Sequence, residues 1–214
     1  AAEVSAHWLI SETGTTEALV DERHRAWHAG AGGWAGLEDI NSHSIGIELG
    51  NDGSQPFAEP QMAALETVLA AILARWSIAP HRVIGHSDMA PQRKSDPGRH
   101  FDWRRLARQG LSVWPDLGDP TVPLATSLTR FGYPDAPADI RLAAFRLRFR
   151  PWARGPEDAT FHRGIDFRSG HRGRDGAEIL HGGTRAAQRT HTHSLEVRHL
   201  GRCVTGAHEL RLRL

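Results

Sequence analysis

Ser44-Ile45-Gly46-Ile47-Glu48-Leu49 is the stretch from which the fold can be read. It is apolar, twice β-branched and closed by Asn51-Asp52-Gly53, so it predicts a buried strand. Residues 60–77 then predict a helix. Met62, Leu65, Leu69, Ile72, Leu73 and Trp76 recur at helical spacing, Pro60 suits the first turn, and Pro80 bars continuation. His81-Arg82-Val83-Ile84-Gly85 predicts a short strand after that helix. Upstream, Val4-Ser5-Ala6-His7-Trp8-Leu9-Ile10 alternates as a strand, and Glu17-Ala18-Leu19-Val20 can return beside it after the turn at Thr13-Gly14-Thr15. The glycine-rich residues 28–41 read as a loop, and Trp103 to Gln109 as a short helix ended by Gly110. Strands alternating with helices over residues 1–115 predict an α/β layered domain.

Beyond it, residues 116–123 hold Pro115's neighbours Gly118, Pro120 and Pro123 and read as a linker. Residues 124–130 and 140–149 predict two short helices around Gly132-Tyr133-Pro134. Two such helices bury little alone, so they need the main domain or another partner.

Composition narrows the function classes. Of 214 residues, 39% are hydrophobic and 24% charged, enough to build a core. The formal net charge of +1 gives no global argument for nucleic acid or an anionic membrane. The longest apolar runs fall far short of the ~18 residues of a transmembrane segment. The single cysteine, Cys203, excludes an internal disulfide framework. The near-zero charge hides two unlike segments: residues 1–159 carry 16 basic and 20 acidic side chains, residues 160–214 carry 10 and 5. All seven tryptophans lie in the first segment. The last 55 residues, rich in His, Arg and Gly, read as a loosely ordered basic tail.

The chemistry concentrates in Gly85-His86-Ser87-Asp88-Met89-Ala90-Pro91-Gln92-Arg93-Lys94-Ser95-Asp96-Pro97-Gly98. His86 stands where a strand ends, and Asp96 follows ten residues on, past a proline-bracketed loop that can fold back beside it. Both are zinc ligand types. Spacing alone leaves the alternative of chance, because a His and an Asp ten apart are common. Lys94 is the one lysine beside 25 arginines. It reads either as an ammonium that the chemistry requires or as a leftover surface lysine. Glu48 alternates with Ile45 and Ile47, so it faces the other side of that strand. It reads either as a cleft carboxylate able to move a proton or as an edge glutamate in water.

Four blocks in order, Val4-Ser5-Ala6-His7, Arg25-Ala26-Trp27-His28-Ala29-Gly30, Ser44 to Leu49 and Gly85 to Gly98, resemble the zinc-dependent N-acetylmuramoyl-L-alanine amidases. These share a fold with peptidoglycan recognition proteins and phage amidases. Gly110-Leu111-Ser112-Val113-Trp114-Pro115, then Phe131-Gly132-Tyr133, Ala144-Phe145 and Phe149-Arg150-Pro151, are similar to the branch that includes periplasmic, outer-membrane-anchored enzymes. The resemblance implies an α/β fold with a mixed central β-sheet flanked by helices, plus a small partial helical domain. It implies domains at 1–115 (catalytic) and 124–159 (peptidoglycan-binding-like), and stops before the 160–214 tail. By position it implies His86 and Asp96 as zinc ligands, Glu48 as catalytic base and Lys94 as support for the transition state. Trp27 and His28 match a motif lining the substrate groove. The implied reaction is hydrolysis of the amide between N-acetylmuramic acid and L-alanine in peptidoglycan or muropeptides. The implied location is the periplasm or outer membrane of a Gram-negative cell, with cytoplasmic recycling as the alternative.

One part of the pattern is missing. The family supplies a third zinc ligand, a histidine, on a strand upstream of Val4. The chain starts Ala1-Ala2-Glu3-Val4, without a visible signal peptide. It therefore reads as a fragment of a longer frame, with a gap in its sheet. An internal substitute such as His7, His24 or His28 is disfavoured. A non-catalytic muropeptide-binding module is the alternative function, and a scaffold tethered by the basic tail a third. In the tail, His181, His191, His193 and His199 read as compositional bias rather than a metal tract, and Cys203 as a bystander.

Overall fold

The computed structural model describes residues 5–117, 119, 121–156, 165–166 and 207–213. In chain order the strands are Trp8–Ile10 (β1), Thr16–Ala18 (β2), Ser44–Gly50 (β3), Val83–Gly85 (β4), Asp116–Leu117 (β5), Ile165–Asp166 (β6) and Ala207–Arg213 (β7). The helices are Glu59–Trp76 (α1), His86–Met89 (α2), Trp103–Arg108 (α3), Leu124–Phe131 (α4) and Ala138–Phe149 (α5). The elements predicted from periodicity are present, with ends shifted by a few residues. The main shift is at the start of β1, which begins at Trp8.

The run at Ser44 is the middle strand of a five-stranded mixed sheet ordered β2-β1-β3-β7-β4. β1 pairs antiparallel with β2 and parallel with β3. β5 and β6 form a separate antiparallel ribbon. Ile45, Ile47 and Leu49 of β3 are fully buried with Ile10 and Val83 against Met62, Leu65, Leu69 and Ile72 of α1. Burying each such aliphatic side chain contributes about 1.5–3 kcal/mol. α1 ends where Ser77 turns into the left-handed region at φ 53° and its N–H donates to Leu73 O.

The other face of the sheet carries a second cluster. Ile84, Ala29, Trp34, Ile40 and Met89 pack with Leu124, Leu128 and Phe131 of α4 and Ala144, Phe145 and Phe149 of α5. The two short helices thus find in the α/β layer the partner they need.

The sequence reading expected a gap in the sheet and an unorganised tail. Instead β3 and β4 are joined through β7, antiparallel to both. Leu210 stands in register with Ile47 and Gly85, Leu212 with Ile45 and Val83, and Glu209 with Glu48. The reason is local: Glu209-Leu210-Arg211-Leu212-Arg213 alternates with period two, a strand signal diluted in the composition of a 55-residue segment. The tail histidines at 181, 191, 193 and 199, and Cys203, lie outside the described residues. Among the described residues no helix is long and apolar enough to cross a membrane.

Candidate active site

The site forms where β4 ends. Gly85 is followed by the single turn α2, whose first residue is His86. The chain then runs out through Pro91 and folds back, and Ser87 N–H donates to Asp96 O at 2.9 Å. Gly85 permits that return, since a Cβ there would meet Pro97 Cδ at 2.6 Å. The outcome is the pairing read from the sequence: His86 Nδ1 lies 3.1 Å from Asp96 Oδ2. His86 is 3% exposed. On its far side, Nε2 lies 2.9 Å from the Ala29 carbonyl, which also accepts from Arg93 Nη2 at 2.9 Å. A proton on Nε2 satisfies that carbonyl and leaves the Nδ1 lone pair facing a carboxylate. Two lone pairs at this distance need a proton or a cation between them. For Asp96, burial alone raises the carboxyl. The hydrogen bond with His86 and the charges of His86 and Lys94 outweigh it, leaving the group below its ordinary value.

Glu48 sits on β3, half-buried, on the face shared with Gly46 and opposite to Ile47. The sheet sets it one residue past Ile47, as His86 is one residue past Gly85, and Ile47 and Gly85 flank the same residue of β7. Glu48 and His86 are therefore level across the sheet. Lys94 is exposed, its amide bonded to Ala90 O at 2.9 Å within the loop that returns to Asp96. Trp27 is 56% exposed, with the Arg25 guanidinium 4.1 Å above its ring. His28 lies beneath the surface at 3% exposure. It packs so closely on Gly46 that a Cβ there would meet its ring at 2.6 Å. Asn41 Oδ1 accepts from the amides of His28 and Ala29, at 3.0 and 2.7 Å, holding this segment over the sheet. So Trp27 is presented to solvent and its neighbour is part of the foundation.

His7 is a structural histidine. Its Nδ1 accepts from Gly46 N–H at 2.9 Å and its Nε2 donates to His24 O at 3.0 Å. Both nitrogens of the neutral ring are thereby used, and burial lowers its pKa below the ordinary 6.5. His24 is exposed. Sequence reasoning missed three residues that hold the site. Asp88 Oδ2 accepts from Gly85 N–H at 2.8 Å, Arg148 Nη1 donates to the same oxygen at 2.6 Å, and Tyr133 Oη donates to Asp88 Oδ1 at 2.5 Å. An acid three residues after Gly85 was a legible capping signal. An arginine in α5 carries no mark that it is buried.

The N-acetylmuramoyl-L-alanine amidase family model matches residues 1–99, the segment that contains the β4 turn, His86, Lys94 and Asp96. The chain is similar to solved amidases over about three quarters of its length. One is AmiD from E. coli in complex with anhydro-N-acetylmuramic acid-L-Ala-D-gamma-Glu-L-Lys, at TM-score 0.63 and 34% identity, covering 77% of this chain and 75% of that one. The chain belongs to the N-acetylmuramoyl-L-alanine amidase family. Another family structure, AMPDH3 from Pseudomonas aeruginosa, superposes at TM-score 0.67 and 31% identity, covering 75% of this chain and 80% of that one. In sequence, the chain is 41% identical to the N-acetylmuramoyl-L-alanine amidase AmiD of Escherichia coli over 162 residues, 62% of this chain. It is 42% identical to the 1,6-anhydro-N-acetylmuramyl-L-alanine amidase AmpD of Haemophilus influenzae over 103 residues, 48% of this chain. These matches span 59% and 56% of the two relatives.

Zinc, which the family resemblance implies, can be tested against the donor set. His86 Nδ1 and Asp96 Oδ2 converge with the right chemistry, and the Ala29 carbonyl fixes the histidine tautomer as a partner beyond the ligands usually does. A catalytic zinc takes three protein ligands. Among the described residues no three His, Cys, Asp or Glu side chains converge. The described residues thus bring together two side chains of the types that zinc takes, and they do not close a zinc centre by themselves.

Proposed function

We propose that this protein hydrolyses the amide between N-acetylmuramic acid and L-alanine in peptidoglycan or muropeptides, with His86 and Asp96 as two of the zinc ligands. The observation that carries the reading is the His86–Asp96 pair at 3.1 Å, built by the same loop that bears Lys94 and level with Glu48 across the sheet. The solved AmiD and AMPDH3 relatives, in complex with anhydromuropeptides, support the substrate class. Zinc held by His86 and Asp96 would supply a Lewis acid for the amide carbonyl. Glu48 takes a proton from the attacking water and returns it to the alanine nitrogen as the C–N bond breaks, so the products are a free lactyl carboxylate and a stem-peptide amine. The Lys94 ammonium balances negative charge that develops on the carbonyl oxygen. Trp27, exposed and braced by Arg25, offers a ring face to the sugar or the stem peptide, with His28 beneath it. The site of action is the periplasm or outer membrane of a Gram-negative cell, in keeping with the organisms of its relatives. The helices α4 and α5 are the counterpart of the family's peptidoglycan-binding-like domain, here packed on the α/β layer.

The test is incubation of the purified protein with an anhydromuramoyl tripeptide, with mass spectrometry of the products. Release of free tripeptide with zinc, abolished by chelator and by Glu48→Gln, is expected. Intact substrate after long incubation sinks the hydrolase reading. A second reading, a binding module without catalysis, is favoured by the two-ligand donor set. It predicts calorimetric binding of the same compound without release.

A further inference from the structure

Asp88 and Arg148 make an ion pair at 2.6 Å with side-chain exposures of 0% and 1%. A buried pair of this kind is weak evidence for stability, since desolvation offsets much of the attraction. Its contacts point elsewhere. The Arg148 guanidinium also donates to Val83 O at 2.9 Å and to Ser112 Oγ at 3.2 Å, and lies 4.0 Å over the Trp103 ring. Through Val83 O and Asp88 it holds β4 at its first residue and the turn that follows its last. Asp88 in turn holds Gly85 N–H, the amide next to His86. Tyr133 completes the set from the α4–α5 connection: its buried hydroxyl is kept protonated by desolvation and by the Asp88 charge, so it can donate to that carboxylate. Every lone-pair direction of Asp88 that these bonds use is thus set by β4 or by the helical unit.

We propose that Arg148 and Tyr133 are positioning residues for His86, so that the C-terminal helical unit is a working part of the site rather than a separable wall-binding module. The inference rests on reading His86 as a metal ligand. Its physical content is tolerance. His86 meets Asp96 at 3.1 Å and Ala29 O at 2.9 Å only while the β4–α2 turn keeps its pitch, and a misplacement of about 1 Å at such a site costs on the order of 100-fold in rate. The apolar contacts of α4 and α5 can dock the helices without fixing that pitch. The carboxylate bonded to Gly85 fixes it.

The double variant Asp88→Leu/Arg148→Met separates docking from positioning, because apolar replacement of a buried pair commonly preserves stability. Three readouts are followed: the His86 Nε2–H signal in a 15N–1H spectrum, zinc affinity by chelator competition, and kcat and KM on an anhydromuramoyl tripeptide. Expected are a cooperative melt, a His86 signal shifted or lost, zinc bound at least tenfold more weakly, and kcat down at least tenfold with KM within twofold. Tyr133→Phe, which removes one bond and no charge, gives the same changes at about two- to fivefold. A double variant with the parental His86 signal and zinc affinity overturns the proposal. Should the double variant not fold, Tyr133→Phe decides alone, and an unchanged His86 signal in it is equally fatal. If the parent protein releases no stem peptide, the hydrolase reading falls, while the His86 signal still decides the positioning role.

Discussion

The two faces of the sheet are built on opposite principles. Toward α1 the sheet buries mainly aliphatic and aromatic side chains, Ile45, Ile47, Leu49, Val83 and the helix stripe Met62, Leu65, Leu69 and Ile72, with Gln61 as the buried polar group, its amide donating to Ile10 O and Gly50 O at 2.9 and 3.1 Å. Toward α4 and α5 it buries His7, His28, His86, Asp88 and Arg148 among its apolar residues. The first face holds by area and tolerates reshaping. The second adds to its apolar cluster directed hydrogen bonds from His7, His86, Asp88 and Arg148, which fix local geometry as well as area. Stability and geometry are therefore supplied from different sides of one sheet. β7 belongs to both arrangements, since it pairs along its length with β3 and over three residues with β4.

That contrast can be broken most severely at β7. A chain ended before Ala207 leaves β3 and β4 without their shared partner, and the expected loss is about the 5–15 kcal/mol that a domain holds in all. Circular dichroism and a thermal melt should show no cooperative transition, and a normal melt would refute the structural role of this strand. On the apolar face, Leu69→Ala should cost about 2–5 kcal/mol by urea unfolding, with the His86 signal unmoved. A shifted His86 signal would erase the distinction between the faces.

On the polar face the test is pH. His7 has its folded pKa lowered by burial. Between that value and 6.5 the unfolded chain binds the proton and the folded chain does not, so stability rises with pH there. The contribution is complete above about pH 6.5 and is lost as pH falls through the lowered value, at no more than about 1.4 kcal/mol per pH unit. His7→Asn should flatten this slope between pH 7 and 5, and an unchanged slope would assign it to other groups. The smallest effect belongs to the outer rim. Glu22 accepts from Trp8 Nε1 at 2.9 Å and from Arg75 at 2.6 Å. Arg75 is exposed, so Arg75→Ala should cost under about 1 kcal/mol, less still at high salt.

Much of this is legible in the sequence alone. The spacing of Met62, Leu65, Leu69 and Ile72 is a property of one helix, and the alternation of Ile45 and Ile47 around Glu48 is a property of one strand. Both are short-range signals, and both elements are as read. His86 beside Asp96 is legible only in part: Pro91 and Pro97 bracket a loop that can fold back, and it is the resemblance of the whole segment, not the spacing, that singles out the pair. His28 reads differently from Trp27 only in three dimensions, because Gly46 leaves a space that the imidazole fills. The residues around Asp88 were hidden for a related reason. Arg148 stands among Arg146, Leu147 and Phe149 in a helix with basic residues on several sides, and nothing in that order says which one is buried.

By itself, then, the sequence determined the elements between Trp8 and Phe149 other than the short strand at Asp116–Leu117, and the side of β3 that Glu48 takes, because neighbours in the chain decide each of these. Only the tertiary structure decided that residues 207–213 lie between β3 and β4, that His7 spends both nitrogens on backbone groups, and that Arg148 reaches across sixty residues to Asp88. Those partners meet at distances along the chain where no local pattern constrains them. They are selected by which buried polar groups remain to be satisfied once the apolar faces have closed.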